Sequence, residues 1–361
     1  MGKINVAIVG TGLIAGKKHL PAFLKLKKKI ASLCLVDPNR EAAQKLAQTF
    51  GIEKIYGSLS ELLSKEKPDL IDICTPPRTH VGIALEALQA GCHVFVEKPM
   101  AMNVQECDQL IEASQKFRKK ICVGHSDLFY PPFLKAREWV CKGAIGQFMG
   151  MKIFLSTPTD YMTSKENHWA NKLPGGVIGE SGPHVVYITL AFIPKILDVK
   201  VTGLKLLSQF PWSPYEDYRI ELIGEKTSSS ITSIYTTDQW AATVDLWGTE
   251  GLLKLDLELM TLVKYRRNSF KPSEIALSGA SEASQLMWGT FATGLKTLMG
   301  RFKRTHELLI GKFVDAILND SPSPVSAQEG REAVRVMDLI VEGLKAPVEN
   351  SEGLLEAAKE M

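Results

Sequence analysis

The sequence predicts an α/β fold in two parts: an N-terminal doubly wound parallel sheet over residues 1–124, then an α+β domain over 125–361 built on a large, mostly antiparallel open sheet. Three observations predict it. Short apolar runs alternate with helical stretches as far as Val123, a glycine-rich turn follows the first of those runs, and from Gln147 strand patterns succeed one another across short polar connections. A chain of 361 residues is also too long for one ordinary hydrophobic core.

Each element has a local reason. Ile4 to Val9 is β-rich and nearly all apolar, as a parallel strand covered on both faces must be. Gly10-Thr11-Gly12-Leu13-Ile14-Ala15 follows at once and a helix begins. In this Rossmann pattern the first glycine permits a tight turn, the second lets a pyrophosphate approach the backbone, and the small third position lets helix and strand pack closely. The amides of the helix N-terminus would face the phosphates. The second strand, Ile30 to Val36, ends at Asp37, 22 residues past Ala15 (37 − 15), near the spacing of ~20 at which an acid bonds the ribose hydroxyls. Asp37 also opens an Asp-Pro turn, and it can do both. A carboxylate there repels a 2′-phosphate and favours NAD, while Arg40 softens the preference enough to admit NADP.

The alternation continues through a helix at Arg40 to Phe50, a strand at Lys54 to Tyr56, a helix at Ser60 to Lys65 and a strand at Leu70 to Cys74. A helix at Thr79 to Ala90, a strand at His93 to Val96, a helix at Val104 to Phe117 and a strand at Lys120 to Val123 complete it. Ligands of such sheets lie at the carboxyl ends of the strands, where Thr75-Pro76-Pro77-Arg78-Thr79-His80 and Glu97-Lys98-Pro99 fall. A helix at Pro132 to Cys141 leads to the strand Gln147 to Ser156. Strand patterns at 198–207, 218–224, 228–236, 241–247, 252–257 and 262–266 follow, and helices at His306 to Leu318 and Ala327 to Gly343 end the fold.

Composition excludes several classes. With 43 Lys and Arg against 40 Asp and Glu the net charge is +3, short of the basic excess that nucleic-acid binding needs. Cys34, Cys74, Cys92, Cys107, Cys122 and Cys141 form no CxxC pair and several sit in apolar runs, so they read as buried reduced thiols of a cytoplasmic protein. The start, MGKINVAIVG, enters a strand pattern without a signal sequence, and Val6 breaks the myristoylation pattern. No apolar run reaches the ~18 residues of a membrane span. The seven histidines show no close cluster of Cys, His or carboxylate partners, so no metal is expected, and no nucleophile block points to hydrolysis.

Four blocks, GTGLIAGKKHLPA, DICTPPRTH, VFVEKPMA and PGGVIGESGPH, together resemble the glucose-fructose oxidoreductase, inositol dehydrogenase and rhizopine-catabolism (Gfo/Idh/MocA) family of NAD(P)-dependent oxidoreductases. The resemblance extends over nearly the whole chain, more loosely after residue 200. It implies hydride transfer between a nicotinamide and a secondary alcohol or ketone of a sugar, sugar-nucleotide or cyclitol, in a homodimer or homotetramer. Cofactor contacts are then expected at Gly10, Thr11, Gly12, Leu13, Ile14, Asp37, Arg40, Thr75, Pro76, His80, Glu97 and Lys98, with Pro77 standing where the family often has asparagine.

Read from its neighbours alone, Lys98 is an ammonium at the carboxyl end of a buried strand, stiffened by Pro99, and such a lysine is ordinarily just solvated. The resemblance makes it the group that hydrogen-bonds the reacting oxygen, where a cation stabilises alkoxide character. His184 follows Pro183 in a segment that continues as an apolar helix. Imidazole accepts a proton near neutral pH, although a histidine at a helix terminus can equally be structural. Glu180, four residues earlier, can share its face and stands where the family has aspartate, so it contacts substrate or orients His184. His125, Tyr130 and Trp169 are further substrate candidates, the last within Asn167-His168-Trp169. The Glu180 exchange also motivates a rival reading, a non-catalytic NAD(P)-binding regulator of the same fold.

One segment stands apart. From Glu282 to Arg304, Met287, Phe291, Leu295, Leu298 and Phe302 fall at helical spacing, with Lys296, Arg301, Lys303 and Arg304 at the basic end. Such a face ordinarily packs on the protein or a second subunit; weak attachment to an anionic membrane surface, or grip on a diphosphate, is the alternative.

Overall fold

The computed structural model of the chain describes residues 2–300 and 304–345. In chain order its elements are β1 (Ile4–Val9), α1 (Leu20–Lys25), β2 (Ile30–Val36), α2 (Arg40–Phe50), β3 (Lys54–Tyr56), α3 (Leu59–Lys65), β4 (Leu70–Ile73), α4 (His80–Gln89), β5 (His93–Val96), α5 (Val104–Phe117), β6 (Ile121–Val123) and α6 (Pro131–Cys141). There follow β7 (Phe148–Ser156), α7 (Ile178–Leu190), β8 (Ile196–Leu204), β9 (Asp217–Gly224), β10 (Ser228–Ile234), β11 (Ala241–Gly248), β12 (Gly251–Asp256), β13 (Thr261–Tyr265), α8 (Pro272–Leu298), α9 (Thr305–Leu318) and α10 (Ala327–Lys345).

Two compact units result, one of residues 2–134, 294–300 and 304–335, the other of residues 135–293 and 336–345. The returning segment joins the first unit through α9: Phe313 packs 6.1 Å from Phe95 of β5, and Lys25 and Lys29 pair with Glu307 and Asp315. Chain order alone puts this segment with the second domain, since nothing in its composition marks the return.

The first unit holds a six-stranded sheet in the order β3-β2-β1-β4-β5-β6. Every pairing is parallel. Burial on both faces explains the unbroken apolar runs: Ala7, Ile8, Leu35, Leu70, Ile71, Val94 and Phe95 are all fully enclosed. The direction of strand order reverses between β1 and β4, the crevice in which such sheets bind dinucleotides. Asn39, Ser58 and Asn103 cap α2, α3 and α5 by accepting the amide hydrogens of Ala42, Glu61 and Glu106, which fixes where those helices begin.

The second unit is built on a seven-stranded sheet in the order β13-β12-β11-β7-β10-β9-β8. All neighbours are antiparallel except β7 and β10. Helix α7 packs on β7 and β10 and buries Val185, Val186, Tyr187 and Ile188. Two expectations need correction. Cys141 is exposed, whereas the other five cysteines are buried, and none of the six is in a disulfide. The helix read from Glu282 to Arg304 starts ten residues earlier, at Pro272, and ends at Leu298, while Arg301, Phe302 and Lys303 lie outside the described residues. Among the described residues no helix is long and apolar enough to cross a membrane.

Candidate functional site

The turn after β1 is shaped by steric necessity. Gly10 has φ +95°, and a Cβ there would stand 2.8 Å from the carbonyl oxygen of Cys74 and 2.9 Å from the Thr75 methyl. Only glycine lets the ends of β1 and β4 approach so closely. Gly12 is exposed and a Cβ on it would meet nothing within 4 Å, so the space above it is open. Leu13 is 69% exposed beside it, Ile14 is half-buried and Ala15 is fully enclosed, as helix–strand packing requires. At the end of β2 the Asp37 carboxylate accepts the Thr11 amide and hydroxyl, both at 2.8 Å, and the Asn39 amide at 2.9 Å. The acid is thus oriented by the glycine turn itself. Arg40 is exposed in the first turn of α2. An open glycine face, a helix start and an oriented acid fit a dinucleotide's pyrophosphate and ribose.

After β4, Pro76 is exposed and the Thr75 hydroxyl accepts that of Thr79 at 2.7 Å. His80 behaves otherwise than expected of a pocket residue. Its ring is enclosed, with Nδ1 at 2.9 Å from the Pro99 carbonyl and Nε2 at 2.9 Å from that of Thr75, and burial lowers its pKa. It ties the loop after β4 to the loop after β5. His125 is also buried, not exposed to a cleft, while Tyr130 is half-buried.

The EKP loop rests on a cluster that sequence spacing did not reveal. His19 Nδ1 lies 2.9 Å from Asp72, and Nε2 lies 2.8 Å from Glu97. A ring donating to two carboxylates is protonated. Burial is the largest single effect and opposes that charge, but Asp72, by charge and hydrogen bond, and Cys74 together outweigh it, and His19's pKa rises well above its ordinary value. Burial pushes Glu97 up, yet the hydrogen bond from His19, with His306 standing 3.6 Å from the same oxygen, holds it well below the usual carboxylate range. Cys74, buried beside Asp72, is pushed up to about 12 by burial and then by that carboxylate, so it stays a thiol. Glu97 Oε2 in turn accepts the Lys98 amide at 3.2 Å. The expectation that histidines, cysteines and carboxylates would not cluster is therefore corrected, because folding gathers residues 53 and 78 positions apart. The readable signal was Asp72: an acid inside the apolar strand LIDI needs a partner. Lys98 itself is half-buried at the end of β5.

In the second unit, Glu180 and His184 stand one turn apart on α7, each partly exposed between buried Ser181, Gly182 and Pro183. His184 Nδ1 lies 2.7 Å from the Tyr187 hydroxyl, a partner the sequence reading did not name. Trp169 is 49% exposed and stacks on His168 with ring centroids 5.8 Å apart.

The first unit's strand order, glycine turn and acid define an NAD-binding Rossmann domain. Residues 4–125 match the family model described as "Oxidoreductase family, NAD-binding Rossmann fold". The chain is 30% identical over 144 residues to a D-glucoside 3-dehydrogenase of Escherichia coli, covering 40% of this chain and 41% of that one. An oxidoreductase of Formosa agariphila is 26% identical over 209 residues, 56% of this chain and 64% of its own. The matches thus span less than two thirds of either relative. Over 96% of this chain the fold resembles that of the WlbA dehydrogenase from Bordetella pertussis, solved with NADH and UDP-GlcNAcA, with a TM-score of 0.74, 17% identity and all of that chain covered.

Proposed function

We propose that the chain is an NAD-dependent dehydrogenase that oxidises a secondary alcohol, or reduces the matching ketone, of a sugar, sugar-nucleotide or cyclitol. The observation that carries it is the open, oriented cofactor turn of the first unit with Lys98 at the carboxyl end of β5 in the same sheet. One relative is a D-glucoside dehydrogenase and one structural neighbour was solved with UDP-GlcNAcA, which supports that substrate class.

Bound NAD supplies the hydride acceptor. Lys98 donates a hydrogen bond to the reacting oxygen and stabilises its alkoxide character. His184 takes the hydroxyl proton on Nε2, which requires its Nδ1–H to donate to the Tyr187 oxygen. Glu180, one turn away, positions the substrate or that ring. A homo-oligomer is part of the proposal. The test is a screen of polyols and sugar nucleotides for change in nicotinamide absorbance at about 340 nm. Lys98→Ala and His184→Ala are expected to lose about 100-fold or more in kcat while NADH still binds. Undiminished turnover in both variants removes the assigned chemistry, and NADH binding without turnover of any substrate class favours a regulator.

A further inference from the structure

Helix α8 faces the wrong way for a helix of a globular protein, because its polar side is the one turned to its own sheet. The Lys264 amide of edge strand β13 donates to Gln285 Oε1 at 2.9 Å, and Gln285 Nε2 donates back to the Lys264 carbonyl at 3.0 Å. Lys254 of β12 pairs with Glu282 at 2.7 Å, and Arg267 donates to Ser278 at 2.9 Å. At Gly289 a Cβ would stand 3.2 Å from the Thr261 methyl, so that position too lies against β13. Residues 278, 282, 285 and 289 recur at steps of three and four and mark one helix face.

Among the described residues, the opposite face is left exposed. Leu277, Met287, Trp288, Phe291, Leu295 and Leu298 are 70, 66, 65, 61, 46 and 88% exposed, and none of the helix's residues is buried. Single exposed apolar residues are commonplace, but six along one helix face form a contiguous patch that marks an interaction site.

Charge selects the occupant. Arg266 and Lys271 stand exposed before the first turn, Lys296 in the last, and Arg304 after it. Of the two acids, Glu282 is already paired with Lys254. A second copy of the helix, laid parallel or antiparallel, would set a basic end against a basic end. An anionic bilayer meets both ends favourably. The helix has 27 residues, about 40 Å of length at ~1.5 Å each. It is not apolar enough to span, so it would lie on the surface. Trp288 and Phe291, packed edge to face at 6.0 Å, are the side chains that suit the headgroup boundary.

We propose that α8 docks the protein flat on an anionic membrane surface, with this apolar face inserted and the basic residues at its two ends against lipid headgroups. The proposal is independent of the hydride chemistry. It is tested by sedimenting the full chain with phosphatidylcholine vesicles, with and without ~30% phosphatidylserine. Binding to the anionic vesicles is expected, and it should fall about tenfold or more when salt rises from ~0.1 to ~0.5 M. Phe291→Glu should lower it about tenfold or more with NADH binding unchanged, and Trp288→Ala should act in the same direction. No sedimentation with anionic vesicles overturns the proposal, as does equal binding to neutral ones. A solution dimer that Phe291→Glu separates would make a second copy the occupant and overturn it too.

Discussion

At the scale of single residues, two glycines of one turn have opposite sensitivities. Gly10 combines φ +95° with a Cβ position 2.8 Å from a backbone oxygen, so Gly10→Ala is expected to cost about 2 kcal/mol or more and to lower the melting temperature without cofactor. Gly12 has open space where its Cβ would be. Gly12→Ala should therefore melt like the natural protein yet bind NADH about tenfold or more weakly, because the methyl occupies the pyrophosphate's approach. Thermal unfolding and NADH fluorescence titration separate the two, and equal destabilisation by both changes would refute the assignment. The turn and its open second glycine were legible in the sequence, whereas the clash at Gly10 was not, because Cys74 and Thr75 come from the far end of β4. Nor was the fate of His80: one of its carbonyl partners, Pro99, comes from a different loop, 19 residues away. His125 is enclosed just before residues 126–129, which pack on α9, a helix distant in sequence.

At the scale of elements, periodicity revealed α8 but not which way it faces. Helical spacing of apolar residues normally implies an inward stripe. Here edge strand β13 offers unpaired backbone groups, and a glutamine that satisfies both polar atoms of Lys264 turns the polar side inward. Gln285→Ala is expected to cost about 1 to 2 kcal/mol and to speed hydrogen exchange at the Lys264 amide of β13, with the amides of β12 unchanged. Protection of that amide in the variant would mean that the helix is held by other contacts. The parallel pairing of β7 with β10 was likewise hidden, because a half-buried strand alternates in the same way whichever direction its neighbour runs.

At the scale of the whole molecule, the buried cluster joins four segments of the first unit: the start of α1, the strand β4, the end of β5 and α9. His19's pKa is raised above its ordinary 6.5, so its contribution to stability is complete below about that pH and is lost as pH rises through the folded value. Glu97 is depressed from 4.5, so its contribution is present above that and lost as pH falls through its folded value. Both describe one interaction, which is therefore strongest between those two ordinary values. His80 and His93 oppose it. Burial lowers both, His93 to about 4, and that erodes stability as pH falls below 6.5. A raw pH–stability curve mixes these effects, and the difference between the natural protein and His19→Gln isolates one. The variant leaves Asp72 and Glu97 buried without their shared cation and should lose about 3 to 5 kcal/mol near pH 6. The gap should narrow towards alkaline pH as the natural ring deprotonates. Urea unfolding of the first unit, followed from about pH 5 to about pH 10, measures it. A gap that stays constant across that range would mean the ring is never charged in the folded state, and the cluster would then be a neutral hydrogen-bond network.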